Sequence, residues 1–527
     1  MAAVQIDKRS CHIVAAANWV CDRKRKIMKS KLFGVLLLIE AAALLLTAAV
    51  ALHYQRVAGE TDARCFLLTA GLTGAVGLLL YNIGNSMKKS QLQIRDSFMV
   101  VALSWVLFSL FGMLPFLMYG TVDNVTDAFF ETMSGFSTTG ATILSNIDQQ
   151  PHGILFWRSI MQWMGGLGVV VFTLAFIPSV AKGSKKMSLF AAEAPGLSVE
   201  KLAPTMQATS RLLWIIYITL TLLCAIMYYL GPMNKFDAVC HAFTTIATGG
   251  FSTHQASIGY FQSDYIECVC IVFMLMSGIN FAMYHFLFSR RFDIIKRNEE
   301  LKWYLMAILV FTLLFVGRFY FAPHFNTITD DQLASHPQTW WERIRTSIFH
   351  VVALLSNTGF QGSNYDYDLW GRLFLIPTVI MMVVGGCAGS TSGGIKMVRV
   401  IVLVKYIRKT INELIHSSSM YTVKISGQIV EDLSLKRVLS FFSLFIIVFM
   451  VNIVVLSASG MSFEDGAISF LTCFSNYGPG SGITGPSGNF DTIPNLAKWL
   501  LSFDMLVGRL EIFTILLLFT RSFWRAK

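Results

Sequence analysis

Charged residues are scarce in this chain of 527 residues. Asp, Glu, Lys and Arg together make up 14% of it, whereas hydrophobic residues make up 54% and mean hydropathy is +0.58. Soluble domains carry about 25% charged residues. The composition therefore excludes a soluble protein and makes lipid the solvent for most of the chain.

Other signals are missing as well. The nine cysteines show no spacing typical of a disulfide framework or a zinc site, and most lie in apolar segments. There is no G-x-x-x-x-G-K-[ST] motif and no soluble domain, so any nucleotide control must come from a partner, and no cofactor is expected. The first apolar run is long enough to span a bilayer, which argues against a cleavable signal. Residues 1–27 form a polar, basic leader, either disordered or the product of a misassigned start codon.

Long apolar runs are what the chain has instead. Such runs, each able to cross about 30 Å of hydrocarbon, recur along the whole sequence. Ten of them predict membrane spans, at about 32–54, 66–84, 98–118, 154–178, 212–230, 265–288, 303–320, 372–404, 438–458 and 496–520.

The net charge of +11 arises from basic residues in the loops and does not indicate a nucleic-acid partner. Basic residues cluster in alternate loops, whereas the segment 121–157 between two of them has no Lys or Arg and carries several carboxylates. The positive-inside rule therefore predicts that both termini and the segments 182–210, 290–302 and 405–436 are cytoplasmic, and that 121–150 faces outside.

A window of 13 residues occurs four times, each time ending in glycine after a short polar run. Its copies are AFFETMSGFSTTG (128–140), AVCHAFTTIATGG (238–250), SIFHVVALLSNTG (347–359) and GAISFLTCFSNYG (466–478). The terminal glycines are 110, 109 and 119 residues apart. Each copy follows one apolar run and precedes another, so the repeat unit is helix, half-helix, glycine turn, helix.

Four such hairpins suit an ion pathway surrounded by one polypeptide. Glycine tolerates positive φ and leaves the axis free, so that backbone carbonyls can face a dehydrated cation. The half-helices would direct their partially negative C-terminal ends inward. The alternative is four unrelated packing glycines, but four copies at a near-equal period make it the weaker reading.

The chain resembles the Trk/Ktr/HKT superfamily of potassium-uptake proteins, in particular the bacterial TrkH/TrkG-type membrane subunit. The resemblance runs from about Met28 to the end and rests on the motifs at 137–142, 162–168, 249–254, 257–261, 385–391, 476–480 and 505–511. It implies an all-α polytopic membrane protein with two leading transmembrane helices. Four helix–pore-helix–filter–helix repeats would follow, arranged with pseudo-fourfold symmetry around one pore.

The resemblance also implies where potassium would bind. A selectivity filter would hold K⁺ on backbone carbonyls alone, at Thr138, Thr139, Gly140, Thr248, Gly249, Gly250, Asn357, Thr358, Gly359, Asn476, Tyr477 and Gly478. The third turn departs from the expected pattern, where more Thr and Ala would be typical. Aspartates and glutamates at the outer loops (Asp123, Asp127, Asp148, Asp237, Glu464 and Asp465) would concentrate cations at the mouth.

A gate is expected below the filter. Five glycines in ten residues, 385–394, cannot hold a straight helix, and the resemblance makes this run an intramembrane loop that blocks the pathway. The gate residues are Gly385, Gly386, Gly389, Ser390, Thr391, Gly393, Gly394, Lys396 and Arg509. A kinked, tightly packed span is the alternative for the loop, and a buried pair with Asp504 or Glu511 is the alternative for Arg509.

The boundaries that follow are a leader at 1–27, two extra helices at 28–95, pore repeat 1 at 96–182, a cytoplasmic loop at 183–210, pore repeat 2 at 211–290, pore repeat 3 at 303–405, and pore repeat 4 with the C-terminal tail at 438–527. A polar column recurs within the window at Glu131, His241, His350 and Ser469. It favours structural hydrogen bonds over a metal site.

The predicted function is potassium uptake across the bacterial plasma (inner) membrane, with no enzymatic activity. The resemblance implies a homodimer surrounded by membrane lipids and gated by a cytosolic TrkA-type subunit that binds NAD(H), ATP or ADP. A secondary transporter coupled to Na⁺ or H⁺ is the first alternative, since Asp504 and Glu511 are candidate carboxylates. A polytopic membrane enzyme is the second alternative, although the polar groups repeat with the pore and do not form one catalytic cluster.

Overall fold

The computed structural model describes residues 8–85, 94–166, 168, 206–321, 339–362, 372–416, 421–485 and 488–525. Within these ranges the helices, in chain order, are α1 (Lys8–Ala58), α2 (Ala63–Asn85), α3 (Ile94–Gly112), α4 (Leu114–Tyr119), α5 (Val125–Phe136), α6 (His152–Gly166), α7 (Met206–Tyr229), α8 (Lys235–Ile246), α9 (Asp264–Ser277), α10 (Phe281–Phe288), α11 (Phe292–Arg297), α12 (Glu299–Phe321), α13 (Trp340–Leu355), α14 (Arg372–Val384), α15 (Met397–Ile415), α16 (Asp432–Ala458), α17 (Phe463–Phe474), α18 (Asn495–Leu510), α19 (Ile512–Leu516) and α20 (Arg521–Arg525).

The fold is helical, as the composition predicts, with one small exception. Strands β1 (Lys424–Ile425) and β2 (Gln428–Ile429) form an antiparallel hairpin between α15 and α16. Most of the predicted cytoplasmic loop 183–210 lies outside the described residues. Helix α1 begins at Lys8 and so continues through most of the stretch that the sequence sets apart as a leader.

Helices α1 and α2 precede the first repeat, and they pack against each other along their length. Small residues allow this close approach: a Cβ added to Gly77 would lie 3.2 Å from the carbonyl oxygen of Gly34, and one added to Gly84 would overlap the backbone of Lys31. Without a side chain at these positions, the two backbones come together by van der Waals packing, as is usual between helices in lipid.

Six described helices are long and apolar enough to cross a membrane: Lys29–Ala58, Ala63–Asn85, Arg95–Tyr119, Gln207–Tyr229, Glu299–Arg318 and Asp432–Ala458. Their outer faces are apolar and exposed, as on α16, where Ile446, Ile447 and Val454 are each more than half exposed. Such faces are suited to lipid. The protein is therefore a multi-pass membrane protein.

The other four predicted spans, 154–178, 265–288, 372–404 and 496–520, do not hold one long helix among the described residues, and 154–178 is described only to Gly166 and at residue 168. Helices α9 and α10 meet at an angle of 94°. The run 372–404 divides into α14 and α15 around the glycines, α18 ends before Glu511, and α6 ends at Gly166 within the described residues. These are the helices that follow each glycine turn.

Two of these helices come very close to the half-helix before them. A Cβ on Gly165 would overlap the carbonyl of Phe136, and a Cβ on Gly508 would overlap the carbonyl of Phe474. Both carbonyls belong to the last residue of a half-helix, α5 and α17. The helix after the turn thus runs directly against the end of the half-helix before it, and glycine is required there.

The half-helices and the helices that follow them pack in a closed order. Half-helix α8 packs on α6, α13 on α9, α17 on α14, and α5 on α18. Each half-helix therefore rests on the second helix of the preceding repeat, and the first repeat rests on the last. This cyclic packing brings the four glycine turns to one place.

Candidate functional site

Four half-helices of similar length approach the centre of the molecule, and all begin with the same kind of cap. The side chains of Asn124, Asn234, Thr339 and Ser462 each accept a hydrogen bond from the backbone of an acidic residue three positions later. Such caps satisfy free N–H groups of the first turn, and the acid there suits the positive end of the helix dipole. The opposite, partially negative ends face the glycine turns.

All four half-helices also end in the same way. The residue after the C-cap has a positive φ of 56° at Thr138, 53° at Thr248, 53° at Asn357 and 52° at Asn476. The next N–H, as in Thr139 N to Ser134 O at 2.9 Å, reaches back to the carbonyl five residues earlier in every copy. This is the Schellman arrangement, which reverses the chain immediately after the helix.

The terminal glycines form a ring. Gly140, Gly250, Gly359 and Gly478 all have positive φ, between 77° and 99°. A Cβ added to each would lie under 3.0 Å from the carbonyl oxygen of the residue before the glycine in the next turn: Gly249 for Gly140, Thr358 for Gly250, Tyr477 for Gly359 and Thr139 for Gly478. The order returns to its start, so the four turns surround one axis.

One cavity opens on this ring. All four glycines line it, together with Arg158, His254 and Gln361 among others, and its volume is about 530 Å³ including the part open to solvent. The predicted filter residues are therefore brought together: the glycines face a common mouth, and the Thr, Asn and Tyr residues before them are buried around it.

Side-chain hydrogen bonds between the turns and the second helices hold the turns in place. The Gln162 side chain of α6 donates to Gly249 O at 2.6 Å and accepts from Phe251 N at 3.1 Å. In the fourth turn, Asn476 donates to the Thr139 hydroxyl at 2.9 Å and to Met505 O at 3.0 Å. These bonds link the first repeat to the second and the fourth repeat to the first.

The contacts of Asn357 explain why the third turn departs from the expected pattern, in which Thr and Ala would be more typical. Its side-chain nitrogen donates to Met382 O at 2.7 Å and to Ser475 O at 3.1 Å, while its oxygen accepts from the Ser392 hydroxyl at 3.1 Å. A threonine could not make all three bonds. The third turn is thus tied to the glycine-rich segment 385–394 by the side chain of Asn357.

The segment 385–394 crosses beneath the ring and touches the ends of the half-helices. Gly394 N donates to Ser475 O at 2.9 Å, at the end of α17. The Thr391 hydroxyl donates to Ile246 O at 2.9 Å, at the end of α8. The segment is fixed on its other side by Cys387 N, which donates to Gly278 O at 2.9 Å. It is therefore a structured loop that contacts several repeats, and not a simple helix kink.

Arg509 joins this loop to the first repeat. Its guanidinium donates to Thr391 O at 2.9 Å, to Gly165 O at 2.6 Å and to Gly166 O at 2.5 Å. Glu511 instead pairs with Arg399. The Lys396 ammonium bonds to Ser392 O within the loop. The predicted gate residues thus form one connected cluster, and Arg509 contacts carbonyls where the sequence left open a pair with Glu511.

Two members of the polar column, Glu131 and His241, have structural partners. Glu131 is fully buried and pairs with Arg158 Nε at 2.8 Å, and it also accepts from Ile143 N at 3.0 Å. His241 contacts Asp237 O and the Ser252 hydroxyl, each at 2.9 Å. Over the described ranges, no group of three His, Cys, Asp or Glu side chains comes together.

Two acidic residues of the outer loops differ from their expected role. Asp127 is buried and its Oδ1 lies 2.5 Å from Lys498 Nζ. Asp237 is buried and its Oδ2 lies 3.2 Å from the ring of His254. Because both carboxylates have cationic or protonatable partners, they do not supply free negative charge at the mouth. Asp127 joins the first repeat to the fourth, whereas Asp237 and His254 both belong to the second repeat.

Comparison with known proteins agrees with this architecture. The family model of TrkH, described as a cation transport protein, matches residues 72–525. The chain belongs to the TrkH family. The Trk system potassium uptake protein TrkH of Salmonella typhimurium is 35% identical to it over 503 residues, which is 94% of this chain and 99% of that protein. TrkG of Escherichia coli is 35% identical over 445 residues, covering 83% and 88% of the two chains.

A solved structure resembles this TrkH-family chain throughout. The crystal structure of the potassium transporter TrkH from Vibrio parahaemolyticus superposes with a TM-score of 0.80 at 31% identity, covering 95% of this chain and 99% of that one. The family resemblance drawn from the sequence motifs is thereby confirmed.

The sequence did not predict two features of this TrkH-family member. One is the left-handed residue two before each glycine, for which the recurring Thr or Asn is only a weak signal. The other is the role of Gln162, which could have been suspected because a polar amide in an apolar run needs a buried partner.

Proposed function

We propose that this chain is the potassium-translocating subunit of a Trk-type uptake system in the bacterial inner membrane. The closed ring of Gly140, Gly250, Gly359 and Gly478 carries the proposal, because it brings four carbonyl-lined turns to one axis. Rings of backbone carbonyls replace the hydration shell of a cation. The names of the relatives, which are potassium uptake proteins, support potassium as the ion.

Transport through this pathway would be channel-like. Potassium would lose water at the carbonyls before and at the four glycines, and the partially negative ends of the half-helices would stabilise it below the ring. The resting barrier would be the loop 385–394 with Arg509, which lies directly beneath the half-helix ends. A homodimer and a cytosolic TrkA-type nucleotide-binding subunit, acting on the cytoplasmic side, complete the proposal.

The direct test is rubidium uptake by the purified protein in liposomes, with and without sodium as competitor. Selective uptake that persists when the sodium and proton gradients are collapsed separately is expected for a channel-like pore. Uptake abolished by collapse of one gradient would instead support the coupled transporter.

The gate is tested by removing part of the loop. Deletion of several residues between Gly386 and Gly393 should raise basal rubidium flux in the absence of any partner, because the obstruction beneath the ring is shortened. The purified variant must first elute from a size-exclusion column at the same volume as the wild-type oligomer. Wild-type or lower flux from such a protein would place the barrier elsewhere.

A further inference from the structure

The intramembrane loop is held from outside by a carboxylate of another helix. Glu300, at the start of α12, is 8% exposed. Its Oε1 accepts one hydrogen bond from Ala388 N at 2.7 Å and another from Val398 N at 3.1 Å. Ala388 lies within the loop and Val398 in the first turn of α15, so a single oxygen joins the loop to the start of the helix that follows it.

The position of Val398 explains why a carboxylate is needed. Helix α15 begins at Met397, and its N-cap residue is Lys396, whose side chain makes no cap hydrogen bond. A lysine has only donors and cannot accept from the free N–H groups of a first turn. Glu300 supplies the missing acceptor from a neighbouring helix, through its bond from Val398 N.

Glu299, the residue before Glu300, faces the cytoplasmic hairpin formed by β1 and β2. Glu299 pairs with Lys405 of α15. It also exchanges two hydrogen bonds with Ser426 in the turn of the hairpin: Glu299 N to Ser426 Oγ at 3.1 Å, and Ser426 N to Glu299 Oε2 at 3.2 Å. Lys405 further donates to Lys424 O at 2.7 Å. The start of α12 thus contacts the loop on one side and the exposed hairpin Lys424–Ile429 on the other.

We propose that Glu300 is a positioning residue that holds the loop 385–394 closed by accepting from Ala388 and Val398, and that Glu299 couples this hold to the cytoplasmic hairpin. Displacement of the hairpin would move the start of α12 and withdraw the shared acceptor. The inference rests on the proposed function only where it equates the closed loop with a closed gate.

Cys387 offers a built-in reporter of the loop. It is 1% exposed and lies next to Ala388. In a full-length protein whose other cysteines are replaced, the rate at which an impermeant maleimide modifies Cys387 from the cytoplasmic side measures how often the loop opens. Basal rubidium flux of the same proteoliposomes is measured in parallel.

Glu300→Ala should label at least about tenfold faster than the parent, because two hydrogen bonds to a buried acceptor are lost. Glu300→Gln should label at nearly the parental rate, since its amide oxygen accepts the same two N–H groups. Glu299→Ala should label faster by a smaller factor. Glu413→Ala is the matched control. Among the contacts described for α15, Glu413 pairs only with Lys409, its neighbour on the same helix.

Parental labelling of Glu300→Ala would overturn the anchoring role, as would equal labelling of the Gln and Ala variants. Parental labelling of Glu299→Ala would overturn the coupling to the hairpin. Faster labelling of Glu300→Ala without higher flux would support the anchor and contradict the gate. Where the Ala variant does not fold, Glu300→Asp, whose shorter side chain cannot reach both donors, takes its place with the same expected increase.

Discussion

Four residues two positions before the ring glycines occupy the left-handed backbone region, with φ between 52° and 56°. Asparagine tolerates this region, and so Asn357 and Asn476 fit it well. Threonine is branched at Cβ, so Thr138 and Thr248 are strained there by about 1–3 kcal/mol. The surrounding ring compensates for this strain through the Schellman bonds and through the contacts of Gln162 and Asn476.

Gly140→Ser should weaken the preference for potassium over sodium. The new Cβ would overlap the carbonyl of Gly249, and the residue would also have to adopt φ of +83°. Together these effects cost about 1–3 kcal/mol and displace a ring carbonyl. The measured quantity is the rubidium-to-sodium flux ratio in liposomes.

Gly120→Ser is the matched control, because Gly120 has a similar φ of +81° but no atom within 4 Å of an added Cβ. It shares the backbone cost without touching the ring, and its flux ratio should remain that of the wild type. Equal ratios in both variants and the wild type would contradict the assignment of Gly140 to the filter.

Asn357→Ala should raise basal flux, because it removes the bonds from the third turn to Ser392, Met382 and Ser475. Asn476→Ala is the control with the same left-handed backbone, since its side chain bonds to Thr139 and Met505 and not to the loop. Both variants share a backbone cost of about 1–2 kcal/mol. An equal rise in liposome flux from the two would argue against a special tie between Asn357 and the loop.

At the scale of elements, neighbouring repeats are joined by polar side chains at two levels. Below the ring, Arg509 of α18 connects the loop to α6. At the cavity that opens on the ring, His254 bridges Asp148 at 2.8 Å and Asp237 at 3.2 Å, which belong to the first and second repeats, and it stacks on Tyr260. Each contact makes a definite prediction.

Arg509→Ala should raise basal flux, but less than deletion within the loop. The change removes a fixed positive charge and three carbonyl contacts, while the loop retains its bonds to α8 and α17. The gain should shrink at high ionic strength, because salt screens the charge. Arg509→Lys keeps the charge but loses the planar fork. Its basal flux should therefore lie between that of the wild type and that of Arg509→Ala. Flux at or below wild type in Arg509→Ala would assign Arg509 a purely structural role.

The His254 bridge should make stability depend on pH. Burial lowers the pKa of His254, but hydrogen bonds to Asp237 and Asp148 outweigh it and raise the pKa above the ordinary value of 6.5. The protonated histidine therefore stabilises the folded state fully below about pH 6.5, and this contribution is lost as pH rises through the raised pKa.

Thermal unfolding of the detergent-solubilised protein between pH 5.5 and 8.5 measures this dependence. His254→Phe keeps the ring that stacks on Tyr260 but cannot be protonated. It should lose the part of the pH dependence that falls just above pH 6.5. An unchanged profile in that variant would show that the bridge does not contribute.

At the scale of the whole molecule, the described part of the chain has six helices long enough to span a membrane, together with shorter and broken helices that pack around the ring. The long helices carry exposed apolar faces, and the short ones bury polar ends around the ring. Non-helical backbone at membrane depth is stable only inside protein or along water. This requirement places all four turns and the loop in the interior.

Topology is tested with single cysteines in a cysteine-free protein. Asp123→Cys should react with an impermeant reagent from outside, and Gln428→Cys, in the hairpin, only from the cytoplasmic side, because the basic loops are retained inside. Both positions are exposed, whereas Ala238→Cys, 1% exposed, should react from neither side. External labelling of Gln428→Cys would invert the orientation.

The sequence by itself determined the solvent, the four turns and their period, because hydropathy and glycine placement are local properties of the chain. Only the tertiary structure decided what those turns contact. The cyclic packing of half-helices, the breaks in the helices after each turn and the capping of α15 by Glu300 all join residues far apart in sequence. Such contacts depend on how backbones approach one another in three dimensions, and no local pattern records that geometry.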